Sequence, residues 1–235
     1  MSNIIYYKVL NENLKHYDFQ YNLGLNIDIN EFESSSIYGL HYTDKKNIIN
    51  YLSYGIYIAE LTIPDDAQVY KDPKGDKWKA DKIIINKYYP IEEWDGWNKE
   101  NCLLAINYNV DNLKLIPEHL KTKEFYLKAI KNNYYAIEFI PDIIKTKEFY
   151  LSAIRHTNFV LTFIPNVFRT KKFYLTVIKK KSSMIKYIPD IIKTKEFYLS
   201  AIKQKSYTLE FIPYEFRTNK FYLTVIKQNA LALQF

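Results

Sequence analysis

A proline recurs every 24 residues through the C-terminal part of the chain, at Pro117, Pro141, Pro165, Pro189 and Pro213. Whole blocks align around these prolines without gaps: TKEFYLSAIRHTNFVLTFIPNVFR from Thr146 returns as TKEFYLSAIKQKSYTLEFIPYEFR from Thr194. A diverged copy starts at Asn98, and a last one starts at Thr218 and reaches Phe235 before its proline. The array therefore holds about five full repeats and one partial repeat. A longer period of 48 is superimposed, because PDIIKTKEFYLSAI occurs at both Pro141 and Pro189. Units this short cannot bury an apolar face alone, whereas stacked units can.

Each unit reads as helix, turn, helix. Thr122, Thr146, Thr170, Thr194 and Thr218 stand where a hydroxyl can cap a helix, and Glu124, Glu148 and Glu196 follow in the first turn, where a negative charge suits the helix dipole. Phe149, Leu151, Ala153 and Ile154 then make a helix that is apolar over much of its circumference. A polar turn such as Lys131-Asn132-Asn133 precedes a second helix with Ile137 and Ile140 inward. Pro141 is expected to end that helix and to take the N1 position of a short turn, Pro141–Lys145. The fold class this predicts is α+β: a small mixed α/β N-terminal domain over residues 1–97, then an α-solenoid of 24-residue repeats over residues 98–235. The last unit, lacking its proline, is expected to need a further segment or a partner over its end.

Charge divides the same way. Residues 1–102 hold 11 Lys/Arg and 16 Asp/Glu (−5), and residues 103–235 hold 22 and 10 (+12), which together give the net +7. Three repeat columns are basic. Lys121, Lys145, Arg169, Lys193 and Arg217 precede the cap. Lys99, Lys123, Lys147, Lys171 and Lys195 follow it. Lys131, Arg155, Lys179, Lys203 and Lys227 end the first helix. The first and third columns are the candidate partner-binding residues. They suit an acidic protein partner, with a nucleic-acid backbone as the alternative; each column can also be only the solvated face that every repeat needs. The tyrosine column Tyr126, Tyr150, Tyr174, Tyr198 and Tyr222 is read as core, with stacking on a ligand as the alternative.

The N-terminal part predicts strands at Ile4–Leu10, Ile37–Tyr42, Ile56–Ile63 and Ala80–Asn86, with residues 11–36 irregular. Thr43 is expected to cap a helix over Asp44–Ser53 that buries Ile48, Ile49 and Leu52 and is closed by Gly55. Trp78, Trp94 and Trp97 are expected to pack the domain or its junction with the repeats. The single cysteine, Cys102, excludes an intrachain disulfide and reads as a small buried apolar residue. No zinc spacing, phosphate loop or nucleophile elbow is present, so no metal, cofactor or catalytic residue is expected. No apolar run is long enough to cross a bilayer.

The segments FQYNLGLN, YGLHYTDKKNIINYLSYGIYIAELTIPDDAQVY and DKWKADKIII resemble the N-terminal domain that precedes ankyrin arrays in giant viruses of the mimivirus type, and the repeat FYLSAI…LEFIP is similar to a repeat family of unknown function in such viruses. The resemblance implies a viral protein with an interaction array, placed in host cytoplasm or virus factory, with the virion as an alternative. A second similarity joins GLHYTDKKNIINYL and IYIAELTI to the core of ADP-ribosyltransferases. His41 stands there for that family's tyrosine, Lys8 is the nearest basic residue on the first strand, and Asp81 replaces the late glutamate. With all three positions altered, that resemblance implies a scaffold relative without transfer activity.

Overall fold

Strands fill the first part of the chain and helical repeats the second, the α+β arrangement expected. The computed structural model describes residues 4–33, 38–73 and 75–228. The expected strand start at Ile37, the centre of the turn at Lys74 and the end of the array from Asn229 to Phe235 lie outside the described residues.

The strands are β1 (Tyr6–Leu10), β2 (Lys15–His16), β3 (Phe19–Gln20), β4 (Gly24–Ile27), β5 (Leu40–Tyr42), β6 (Tyr57–Thr62), β7 (Val69–Lys71), β8 (Trp78–Ala80) and β9 (Lys82–Pro90). They form an antiparallel four-stranded sheet ordered β1-β6-β9-β4, an antiparallel three-stranded sheet ordered β5-β8-β7, and the hairpin β2-β3. Tyr7 and Thr43 exchange both backbone hydrogen bonds, each 2.8 Å, which ties the edge strand β1 to the residue after β5. Side-chain alternation gives the four-stranded sheet two cores. Tyr7, Val9 and Ile58 pack with Ile48, Ile49, Leu52, Ile91, Trp94 and Ala105. Leu10, Ala59, Leu61, Ile83 and Ile85 pack with Tyr21, Leu40, Tyr42 and Ala80.

Four local expectations are corrected. Residues 11–36 are not all irregular: they contain β2, β3 and β4. The helix after Thr43 is a 3-10 helix over Ile48–Tyr54, and it is Asp44 whose carboxylate accepts the Asn47 N–H at 2.8 Å, while the Thr43 hydroxyl donates to the Asp76 carbonyl. The inward residues Ile48, Ile49 and Leu52 are as expected. Gly55 does follow, but its backbone is extended (φ 178). Glycine is needed because a Cβ there would lie 2.0 Å from the Leu10 carbonyl oxygen. Pro141 does not occupy N1; the repeat prolines sit one place earlier, with ψ of 138 at Pro117 and Pro189, and their carbonyls accept the N–H three residues on. A residue at the cap keeps non-helical ψ, and proline's fixed φ permits that.

The first helices of the repeats are α1 (Lys99–Tyr108), α2 (Lys123–Asn132), α3 (Lys147–Ala153), α4 (Lys171–Lys180), α5 (Lys195–Gln204) and α6 (Asn219–Gln228). All five threonine hydroxyls accept the N–H three residues on, at Phe125, Phe149, Phe173, Phe197 and Phe221, each at 3.2 Å. Each such cap is worth about 1 kcal/mol. Among the described residues, the second helix of five successive units is a six-residue 3-10 segment, for example Tyr134–Phe139 and Ser182–Tyr187. Its three residues per turn place Ile137 and Ile140, or Ile185 and Ile188, on one buried face. Leu151 lies at the rim; the buried set is Phe149, Tyr150, Ala153 and Ile154, and its equivalents.

The chain divides into two compact units, residues 1–125 and 126–235. In the first, α1 packs on the 3-10 helix Ile48–Tyr54, and Ala105 joins the core of Trp94. Within the second, α4 packs on α5 and α5 on α6, while the 3-10 segments Tyr134–Phe139, Asn158–Phe163, Ser182–Tyr187 and Ser206–Phe211 touch in succession. The tyrosine column is core at Tyr126, Tyr150, Tyr174 and Tyr198, which are buried, while Tyr222 is half-buried. Cys102 is also buried, and burial pushes its thiol up to about 11. Folded protein at neutral pH should therefore react with a thiol reagent only as fast as α1 opens. Full-rate labelling without denaturant, followed spectrophotometrically, would contradict the buried position.

Candidate interaction surface of the repeat array

The candidate basic columns have two different structural fates. Where a unit carries an acid three residues before its first-column cation, the two pair: Lys121 with Glu118 at 2.7 Å, Lys145 with Asp142 at 3.3 Å and Lys193 with Asp190 at 3.0 Å. The lysine side chains keep only 9%, 20% and 17% of their exposure. Where the acid is replaced by Asn166 or Tyr214, the cation is arginine and turns back on its own unit. Arg169 Nε donates to the Ile164 carbonyl, and Arg217 Nε donates to the Ile212 carbonyl, both at 2.8 Å. Each guanidinium also donates from Nη2, Arg169 to Thr162 O and Arg217 to Leu209 O and Glu210 O. Arginine's planar fork satisfies the carbonyls left open at the end of the 3-10 segment, which a lysine cannot do with the same geometry. The period of 48 is thus partly a swap between two ways of holding the same corner.

Third-column residues Lys131, Arg155, Lys179, Lys203 and Lys227 are all exposed. Lys131, Lys179, Lys203 and Lys227 lie in the last turn of their helices, where a cation complements the dipole. Arg155 lies just beyond α3, which ends three residues earlier relative to its unit than α4. Among the described residues, no ion pair engages these five head groups. Their charge is available to a partner.

Aromatic rings begin four residues on. Tyr135, Phe159 and Tyr207 are exposed at one repeat position. The rings of Tyr134 and Phe159, from successive repeats, stack at 4.6 Å and 19°. Lys186 lies 4.8 Å from the centroid of the Phe211 ring of the next unit. Exposed aliphatic residues recur as well, at Ile143, Val167 and Ile191. Sequence reasoning missed these; their signal was an apolar residue two places after Pro141, Pro165 and Pro189.

The three positions of the ADP-ribosyltransferase resemblance are only partly brought together. Lys8 Nζ donates to the His41 carbonyl at 2.7 Å. Asp81 turns elsewhere, its carboxylate accepting the Gln68 N–H at 2.8 Å. Among the described residues, no group of three or more His, Cys, Asp or Glu is placed to hold a metal ion, and no helix is long and apolar enough to cross a membrane.

A family model described as a domain of unknown function (DUF4116) matches residues 98–145 and 170–217, each match spanning two 24-residue units. Among curated proteins, "Putative ankyrin repeat protein R868" of Acanthamoeba polyphaga mimivirus is 32% identical over 105 residues, covering 41% of this chain and 52% of the relative. "Putative ankyrin repeat protein R229" of the same virus is 33% identical over 110 residues, covering 43% and 36%. The chain thus spans about half or less of the length of these two relatives. "Uncharacterized protein R869", also from that virus, is 33% identical over 117 residues, which cover 46% of this chain and 85% of the relative. No solved structure matches the chain. With 85% of R869 matched at that identity, the chain belongs to the family of mimivirus-type repeat proteins of which R869 is a member.

Proposed function

We propose that the chain is a non-enzymatic interaction scaffold of a giant virus whose repeat array docks an acidic partner protein along its third basic column. The observation that carries this reading is the contrast between columns: the first is consumed inside each repeat, while the third stays exposed in five successive units. Cations repeated at one exposed position of successive units suit an extended acidic surface. The exposed Ile143, Val167 and Ile191 favour a protein over a nucleic acid, because apolar side chains add affinity where they are covered by apolar partner surface. The names of R868 and R229 as ankyrin repeat proteins support the same class of role.

Titration of the full chain with polyglutamate and with single-stranded oligouridylate tests the partner class. Polyglutamate should bind at about 50 mM salt and weaken strongly by about 200 mM, as charge-driven association does. Oligouridylate binding more tightly, with the steeper salt dependence, would replace the protein partner by nucleic acid. Binding of neither would remove the reading.

A further inference from the structure

Lys8 is a lysine buried in the sheet domain without a carboxylate. It is 4% exposed, on β1, between Tyr6 and Leu10. Its ammonium donates to the His41 carbonyl at 2.7 Å, lies 3.3 Å from His16 Nδ1 and sits 4.7 Å from the centroid of the Tyr21 ring. Among the described residues no acid lies within ion-pair distance of it. Buried charges are ordinarily paired, since each costs several kcal/mol to desolvate. Burial lowers the ammonium to about 7, so it is poised to hold its proton when a negative charge arrives.

The surroundings are built as a pocket. Lys8, His16 and His41 line a cavity of about 100 Å3 that is walled by Tyr7, Tyr51 and Tyr54. A charged Lys8 donating to Nδ1 leaves His16 with its proton on Nε2, a neutral donor. The tip of the β2-β3 hairpin borders the cavity. There Tyr17 adopts φ 52, the left-handed region that a tyrosine rarely enters, and its ring packs 4.4 Å from that of His16 while remaining 80% exposed. Strain of this kind persists where the surroundings hold it. Lys77, at the rim, lies 3.7 Å from Asp72, which leaves Lys8 as the cation without a counter-charge.

The geometry points to a binding site for a small organic monocarboxylate, its carboxylate on Lys8 and its planar body among the tyrosine rings. One ammonium flanked by neutral imidazoles balances a single negative charge; a phosphate dianion would bring a second charge with no cation to meet it. The cavity is smaller than the ~150 Å3 that encloses benzene, so an aromatic body would extend to the mouth beneath Tyr17. The site is independent of the array and of what docks there.

Calorimetric titration of the full chain with sodium benzoate, and separately with inorganic phosphate, tests this, with the His16 and His41 ring resonances followed by NMR. Benzoate should bind saturably at one site and move both imidazoles. Lys8→Met should weaken it at least about tenfold, whereas Lys172→Met, at an exposed position of the array, should not. His16→Phe, which removes the neutral donor, serves the same purpose if Lys8→Met loses its fold. Overturning results are no saturable benzoate binding to the unsubstituted chain, binding untouched by both cavity substitutions, or phosphate binding in preference to benzoate.

Discussion

Phe173→Ala will lower the stability of the repeat array by about 3–5 kcal/mol, as other buried phenylalanine truncations do. Phe173 has no exposed surface, and its own N–H is held by the Thr170 cap. Its ring meets Tyr174 edge-on at 5.6 Å, and its helix α4 packs on α5. In a stacked array each unit is stabilised mainly by its neighbours, so a void in a central unit weakens two interfaces at once. All three tryptophans precede residue 98, so their fluorescence reports the sheet domain, and far-UV circular dichroism during urea unfolding must be used for the repeats. A loss below about 1 kcal/mol for Phe173→Ala would mean that the stacked interfaces do not hold the array together.

The sheet domain should gain stability from acid up to mildly alkaline pH, in two windows with different causes. Burial first, and the charge of Lys8 second, lower His16 to about 3 and His41 to about 4. Below an ordinary histidine value of about 6.5 the unfolded chain takes up protons that the folded chain refuses, so stability is lost as pH falls from there towards 4. Lys8 acts higher. Its ammonium is lowered to about 7 by burial, whereas an unfolded lysine holds its proton to about 10.4. Between those values the unfolded chain again binds more protons, and stability rises with pH by at most about 1.4 kcal/mol per unit. Above about 10 the trend reverses, because burial raises Tyr7, Tyr21 and Tyr42 while unfolded tyrosines ionise. Urea midpoints read by tryptophan fluorescence should therefore climb from pH 4 towards pH 9 to 10. Lys8→Met should flatten the upper window and raise the midpoint at pH 7, since a desolvated ammonium without a carboxylate is replaced by apolar volume. An unchanged upper window in Lys8→Met would place the effect on another group.

How much of this was legible depended on whether a residue's role follows from spacing. The threonine caps and the buried Phe and Tyr that follow them are fixed by position along a helix, and the repeat states that position five times. The fate of the first basic column was not legible, because spacing does not say whether a side chain turns outward or back. The exchange of Asp142 and Lys145 for Asn166 and Arg169 carries the answer only once the carbonyls of Thr162 and Ile164 are seen beside the guanidinium. Strand β4 escaped for a different reason. Its apolar residues Leu25 and Ile27 face outward, and Asn26 is buried, its carboxamide accepting the Asn22 N–H and donating to the carbonyls of Asn22 and Gly24. That inverts the usual alternation. Gly55 invited a left-handed helix cap, whereas the close approach of Leu10 sets the requirement. The Lys8 cavity joins residues from β1, β2 and β5, which no local pattern connects.

Whether the third column or the first meets the partner is decided by reversing the one, neutralising the other and measuring polyglutamate binding by fluorescence anisotropy at low salt. Replacing Lys131, Arg155, Lys179 and Lys203 by Glu should abolish binding while the circular dichroism spectrum is kept, because all four side chains are exposed. Replacing Lys145 and Lys193 by Gln should leave affinity within about threefold, because those cations are already engaged by Asp142 and Asp190. Equal losses in both variants, or retained binding in the fourfold variant, would contradict the account.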